Sequence, residues 1–224
     1  MAQQARNDTD ANVIREAGMA LGHSPSGLLL PGIDATTLHA ATRLCARDYL
    51  EHHAYFNDRG FHNHLNHHLL AVFTMGASAE RLQTVFDQNK QMVRSRDAYS
   101  DSVDINADNY MEHFGNPRCY ASYIHFFRGE LDAARDDWKA CALDYFFDPP
   151  VFQMGMSGLF HPFIQMGYGL EFDSKALTAM ALAQVCVHHR FYKTLFDKRT
   201  FADICASTPI NDGMGLSLMQ ILDA

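Results

Sequence analysis

Ten residues, Phe61 to Leu70, read FHNHLNHHLL and hold four histidines, at positions 62, 64, 67 and 68. On a helix His64 and His68 stand one turn apart at i and i+4, so their ring nitrogens can converge on one cation. His67 lies one step around the same helix, and His62 near its start. Imidazoles this close repel one another when protonated, which favours the neutral form, and neutral imidazole is the form that binds metal. Two more histidines join them by setting. His161 precedes Pro162 in GLFHPF, and His188 closes an apolar helical stripe where a polar ring needs a partner. A lone histidine is more often a core residue bonded to a carbonyl. We read His39 and His125 in that way, and His52 and His53 as helix-surface residues.

Spacing excludes several other chemistries. None of Glu51, Glu80, Glu112, Glu130 and Glu171 is followed by histidine at i+3, so the di-iron carboxylate pattern is absent. There is no HExxH and no phosphate-binding loop, and Gly213-Met214-Gly215 lacks the third glycine of a dinucleotide fingerprint. His62-Asn63-His64 matches a nuclease label by its letters only. The formal net charge of −8 argues against a phosphate backbone as partner. The five cysteines form no CxxC pair, which speaks against a zinc knuckle or a redox dithiol. What remains is a histidine-rich site, suited to iron and open to zinc, copper or nickel. It stands in a chain with 16 Phe, 9 Tyr and 11 Met.

The elements that must position these residues read as helices. Asp34 is the N-cap of one running through Leu38, Ala41, Cys45 and Tyr49. After Gly60 a second carries His64, Leu65, His68, Leu69, Val72 and Phe73, with Gly76 at its C-terminal end. Ser78 caps a third, with Leu82, Val85 and Phe86 on one side. Residues 94–109 read as a polar surface loop. Asn116-Pro117 opens a helix with Tyr120, Tyr123, Ile124 and Phe127 inward. Leu131 to Phe147 continues helically until Asp148-Pro149-Pro150. Asp173 or Ser174 caps the last, whose stripe is Leu177, Ala181, Val185 and His188.

No run alternates with period two, so the expected fold is all-α. We place a loosely ordered lead-in at residues 1–25, punctuated by Ser24, Pro25 and Ser26, and one helical domain at 26–224. The polar N-terminus is no secretory signal. The apolar segment from Ala176 to Val187 is far shorter than the roughly 20 residues that span a bilayer. The chain reads as soluble, reduced and cytoplasmic.

Three segments resemble the questin oxidase-like family: FNDRGFHNHLNHHLLAVFTMGAS (Phe56 to Ser78), GLFHPFIQMGYGLEFDS (Gly158 to Ser174) and ALAQVCVH (Ala181 to His188). The intervening YASYIHFFRGEL, Tyr120 to Leu131, fits in order and spacing, and the resemblance covers roughly residues 30–190. It implies an oxidoreductase that opens anthraquinone-like rings of aromatic polyketides by Baeyer–Villiger-type chemistry. NADPH would be the reductant, with a histidine-ligated non-haem iron in some members. On that resemblance His64, His68, His161 and His188 would be the metal ligands, and His67 a proton donor or acceptor. Phe160, Tyr168 and Tyr123 would stack a planar substrate. Gln165, standing where the family pattern has a second histidine, would hold a water or a substrate carbonyl. Met180 stands where the pattern has glutamate, and family members are longer. Two other readings use the same residues: a shortened aromatic-binding or partner protein without catalysis, and a zinc-stabilised structural protein. A shortened chain would expose an apolar face, so self-association is expected.

Overall fold

The computed structural model describes residues 2–22, 31–56, 59 and 61–188. Among them are nine α-helices and no strand: α1 Ala2–Ala17, α2 Ala35–Glu51, α3 Leu65–Thr74, α4 Ala79–Asn89, α5 Tyr120–Ala133, α6 Trp138–Phe147, α7 Pro149–Gly155, α8 Ser157–Glu171 and α9 Lys175–Val187. The expected all-α class holds. The N-terminal segment read as a loosely ordered lead-in contains α1, whose last residue Ala17 joins the core together with Met19 and Leu21 after it. Its polar sequence lacks an apolar period, and the docking of α1 on α2 supplies what that pattern could not show. Gly60 and the Gly213-Met214-Gly215 and Ser24-Pro25-Ser26 motifs lie outside the described residues.

Local rules account for most helix ends. Asp34 Oδ1 accepts from the Thr37 amide at 2.8 Å, while Thr37 Oγ1 accepts from the Asp34 amide, a reciprocal cap for α2. Ser78 Oγ accepts from the Arg81 amide to cap α4. Asp148-Pro149-Pro150 ends α6 at Phe147 as expected and at once opens α7, because proline in a first turn forfeits no helical hydrogen bond. Ser174 is the N-cap of α9.

The last helix departs most from expectation. Every residue from Ala176 to Val187 is buried, so α9 has no solvent face and is the axis of the fold. It packs chiefly against α5 and α8, and also touches α2, α6 and α7. A helix apolar all round is a core helix. Its alanines at 176, 179, 181 and 183 let neighbours approach from every side, so the stripe Leu177, Ala181, Val185 is only part of its packed surface. Tyr123, on α5, is fully buried beside it. Its hydroxyl donates to the Tyr110 carbonyl at 2.6 Å and its ring stacks on Phe127.

The histidine assignments reverse in several places. His39 and His125 are exposed, whereas His52 and His53 are buried. α2 ends at Glu51, and the chain then tucks under the 94–99 segment. The His53 amide donates to the Arg94 carbonyl there. The neutral His53 ring is satisfied twice: Nδ1 accepts from the Tyr55 amide at 3.0 Å, so Nε2–H donates to the Pro117 carbonyl at 2.8 Å. Burial lowers its pKa to about 4.

Because the folded value lies below the unfolded one of about 6.5, the unfolded chain binds the extra proton between those pH values. The stability from neutral His53 is present above pH 6.5 and lost as pH falls towards 4. Urea denaturation at stepped pH should show a falling midpoint across that window, with a shallower fall in His53→Gln. A midpoint flat from pH 7 to 4 would contradict the assignment.

Candidate functional site

The histidine segment is held from below by a carboxylate. Asp48, on α2, is fully buried and accepts from Asn63 Nδ2 at 2.8 Å, Asn66 Nδ2 at 3.0 Å and His52 Nδ1 at 3.0 Å. Asn63 also turns the chain: its Oδ1 accepts from the Leu65 amide at 2.8 Å, and its own amide donates to the Ala54 carbonyl. Residues 61–63 therefore pair with 54–56 in extended form, with a bridge between Tyr55 and His62, and α3 begins only at Leu65. His64 is the N-cap, and His62 precedes the helix altogether.

This break decides which rings meet. His64 Nε2 lies 2.6 Å from His161 Nε2, and His62 Nε2 lies 2.8 Å from His188 Nε2. The two pairs join where His62 stacks on His161, with centroids 4.1 Å apart and planes 12° from parallel. His64, His161 and His188 of the expected ligand set are thus together, and His62 completes the group. His68 is exposed on α3 and makes no ring contact with the four, so the structure does not place it in the cluster. A single unbroken helix would have set it one turn above His64; the Asn63 turn carries the His64 ring away instead.

His161 is fixed by an unusual turn. Gly158, Leu159 and Phe160 all have positive φ, 57°, 56° and 65°, so α8 runs regularly only from His161 and Pro162 falls in its true first turn. That turn aims the Gly158 carbonyl at His161 Nδ1. A carbonyl only accepts, so the proton sits on Nδ1 and the Nε2 lone pair faces His64. The same glycine has no room for a side chain: a Cβ would meet His62 Cε1 at 2.5 Å and His188 Cε1 at 2.7 Å.

His67 is positioned by α8. The Gln165 amide nitrogen donates to the Leu177 carbonyl at 3.2 Å, which turns Oε1 towards His67 Nε2 at 2.7 Å. Nε2 of His67 is therefore the donor, and Nδ1 the nitrogen that can accept a proton. Gln165 is buried with both ends engaged, so it orients His67 and does not face a substrate. Tyr168 stacks on His67, with centroids 5.2 Å apart and planes 15° from parallel. Phe160 is half exposed beside His161, and Phe61 beside His62, while Tyr123 belongs to the α5 core. Met180 receives a weak N–H···S contact from Asn66.

Burial favours the neutral form of His62, His64 and His67. His62 is pushed far below the usual histidine value, first by burial and then by the neighbouring His188, His161 and His64. Burial likewise lowers His64, and lowers His67 to about 4 despite its bond to Gln165. As they stand, the four nitrogens satisfy one another in pairs. Among the described residues no three His, Cys, Asp or Glu side chains surround a common point that could hold a metal ion. What the donor set has in common with metal sites is its chemistry: imidazoles without a carboxylate among them, two with Nδ1 hydrogen-bonded to protein oxygen. Two surface clefts, of about 470 and 410 Å³, lie elsewhere and include none of these histidines.

Gly158→Ala should destabilise the protein by roughly 2 kcal/mol or more, since it combines a disfavoured φ with a clash against two buried rings. Gly129→Ala, in the open interior of α5, should stabilise by about 0.5–1 kcal/mol. Denaturant midpoints of the two variants check both signs.

Comparison with known proteins matches residues 61–224 to the family described as questin oxidase-like. A Baeyer-Villiger oxidase of Pestalotiopsis fici is 29% identical over 84% of this chain and 43% of its own length. A Baeyer-Villiger oxidase of an Aspergillus species is 30% identical over 78% of this chain and 37% of its own. The questin oxidase of Aspergillus fumigatus is 27% identical over 67% and 35%. The chain spans about two fifths of the length of these curated relatives. With the histidine-bearing segments inside the matched region, the chain belongs to the questin oxidase-like family.

Proposed function

We propose that the chain forms the histidine-bearing part of an oxidoreductase that opens a ring of a polycyclic aromatic polyketide. The observation that carries this reading is the closure of four imidazoles, from three separate segments, into one contiguous group in a member of this family. In a Baeyer–Villiger reaction one atom of O₂ enters between a ring carbonyl carbon and its neighbour, giving a lactone. The other atom leaves as water, formed with one solvent proton and the hydride of NADPH, which brings both electrons. Hydrolysis of the lactone opens the ring.

His62, His64, His161 and His188 would hold the metal, His62 taking the place first given to His68. Bound iron would supply activation of O₂, a reaction that imidazole-ligated iron supports. The remaining tasks fall to this chain's own groups. The Gly158 carbonyl and the Tyr55 hydroxyl hold His161 and His188 with their Nε2 atoms turned inward. His67, neutral and with Nε2–H committed to Gln165, accepts a proton at Nδ1, and the acceptor half of its expected role suits it better than the donor half. Tyr168 on His67, together with half-exposed Phe61 and Phe160, offers flat apolar surface for a planar substrate.

Metal analysis of anaerobically purified protein tests the reading, alongside oxygen and NADPH consumption with an anthraquinone. Near one iron per chain is expected, lost in His62→Ala/His161→Ala and retained in His68→Ala. Stoichiometric zinc, with unfolding on chelation, would favour the structural reading. Folded protein without metal in any preparation would overturn the ligand assignment. Light scattering across concentrations tests the expected self-association.

A further inference from the structure

One side of the molecule carries a run of exposed apolar side chains. Leu143 and Phe147 stand one turn apart on α6, and both are exposed. At the opening of α8, Leu159, Phe160, Phe163 and Ile164 are exposed as well. The two groups meet over the fully buried Phe146, whose ring lies 5.4 Å from Phe147 and 5.8 Å from Phe163. Phe152 of α7 packs on Phe147 at 5.3 Å, so the face is continuous across three helices. The six exposed side chains present on the order of 600 Å², the upper end for a patch on a monomer and close to the ~800 Å² each partner gives a standard interface. Folding alone does not account for them. Leu159 and Phe160 hold positive φ, 56° and 65°, where glycine or asparagine costs less, and Leu159 is 77% exposed.

The chemistry of the face narrows its occupant. None of the six side chains is charged, so a partner recognised by charge finds nothing there to pair with. No Lys or Arg occurs from residue 140 to 174, whereas a surface that docks on anionic lipid carries a basic rim. Two copies of a chain with formal charge −8 repel overall, and a neutral apolar face is where they approach at least cost. Such a face is also complementary to itself, as a two-fold contact requires. We propose that the α6–α7–α8 face is the contact between two copies of this chain in a closed two-fold dimer. The self-association expected from the sequence thereby gains a surface. That surface borders the histidine cluster, for Phe160 adjoins His161 in the chain. His64 is exposed and His161 half-buried, while His62 and His188 are buried, so the cluster opens on the His64–His161 side. A second copy lays its own α8 beside that opening and excludes water from it. Only this last consequence rests on the reading of the cluster as the active site.

Sedimentation of the full chain across micromolar concentrations should show a reversible monomer–dimer equilibrium. Leu159→Asn exchanges an exposed apolar side chain for one that suits positive φ, so the fold is kept. It should weaken the dimer by roughly tenfold or more, and adding Phe163→Ser should leave monomer only. Met92→Ser removes a side chain of similar exposure, 63%, from the segment after α4, and should leave the equilibrium unchanged. Circular dichroism of each variant confirms that the helices are retained. A wild-type chain that is monomeric at every concentration would overturn the proposal, whatever covers the face. So would a dimer indifferent to Leu159→Asn and Phe163→Ser, or a mass that grows past the dimer. Monomer bound to phosphatidylcholine vesicles would assign the face to lipid and overturn it too. None of these readings involves metal or substrate, so failure of the oxidoreductase reading and failure of the dimer are told apart.

Discussion

The geometry of the cluster depends on one buried carboxylate. Taking Asp48 out of water costs several kcal/mol, and only directed hydrogen bonds offset that. Its three donors come from His52 at the end of its own helix and from Asn63 and Asn66 in the histidine segment. Two of those donors bracket the start of α3, so the carboxylate fixes the depth and the rotation of that helix on α2. Asn63 spends its other end on the Leu65 amide, which stops α3 from extending back through His62 and His64. The cluster is therefore a consequence of where α3 is prevented from starting.

Around this anchor the fold brings together three segments far apart in sequence. α9 delivers His188 at its end, and α8 delivers His161 at the start of its regular part. Because α9 is buried on all sides, neither helix can shift without disturbing the core, and the site inherits that rigidity. The left-handed turn at 158–160 holds two non-glycine residues, Leu159 and Phe160, at positive φ, and it lies against His62 and His188. Strain is retained where the surroundings over-determine it, and here it sets a carbonyl on His161 and leaves no space for a side chain.

The polar groups near the rings divide into those that face the cluster and those that orient it. Gly158 and Tyr55 fix two rings through Nδ1, and Gln165 fixes His67 through Nε2. This gives Gln165 a structural task of its own. An amide has both a donor and an acceptor, and Gln165 uses them to tie His67 to the Leu177 carbonyl on α9. Imidazoles packed together without a carboxylate among them repel one another when protonated, which together with burial holds His62 far below the usual histidine value.

The sequence by itself determined the helical class, most caps and the histidine-rich character of residues 61–70; the grouping of His64 with His161 and His188 came from the family resemblance, and the structure brings their rings into one cluster. Caps and apolar periods are local, within a few residues, and the clustered residue types are visible as letters. It could not choose between His62 and His68, because that choice turns on Asn63 reaching Asp48, fifteen residues away in a different helix. Nor could it tell that His52 and His53 are buried while His39 and His125 are exposed, since the chain reversal after Glu51 is driven by contacts with residues 94–99. Tyr55 carried no motif at all. Its hydroxyl meets His188 across 133 residues of chain, a pairing that exists only once α9 is packed into the core.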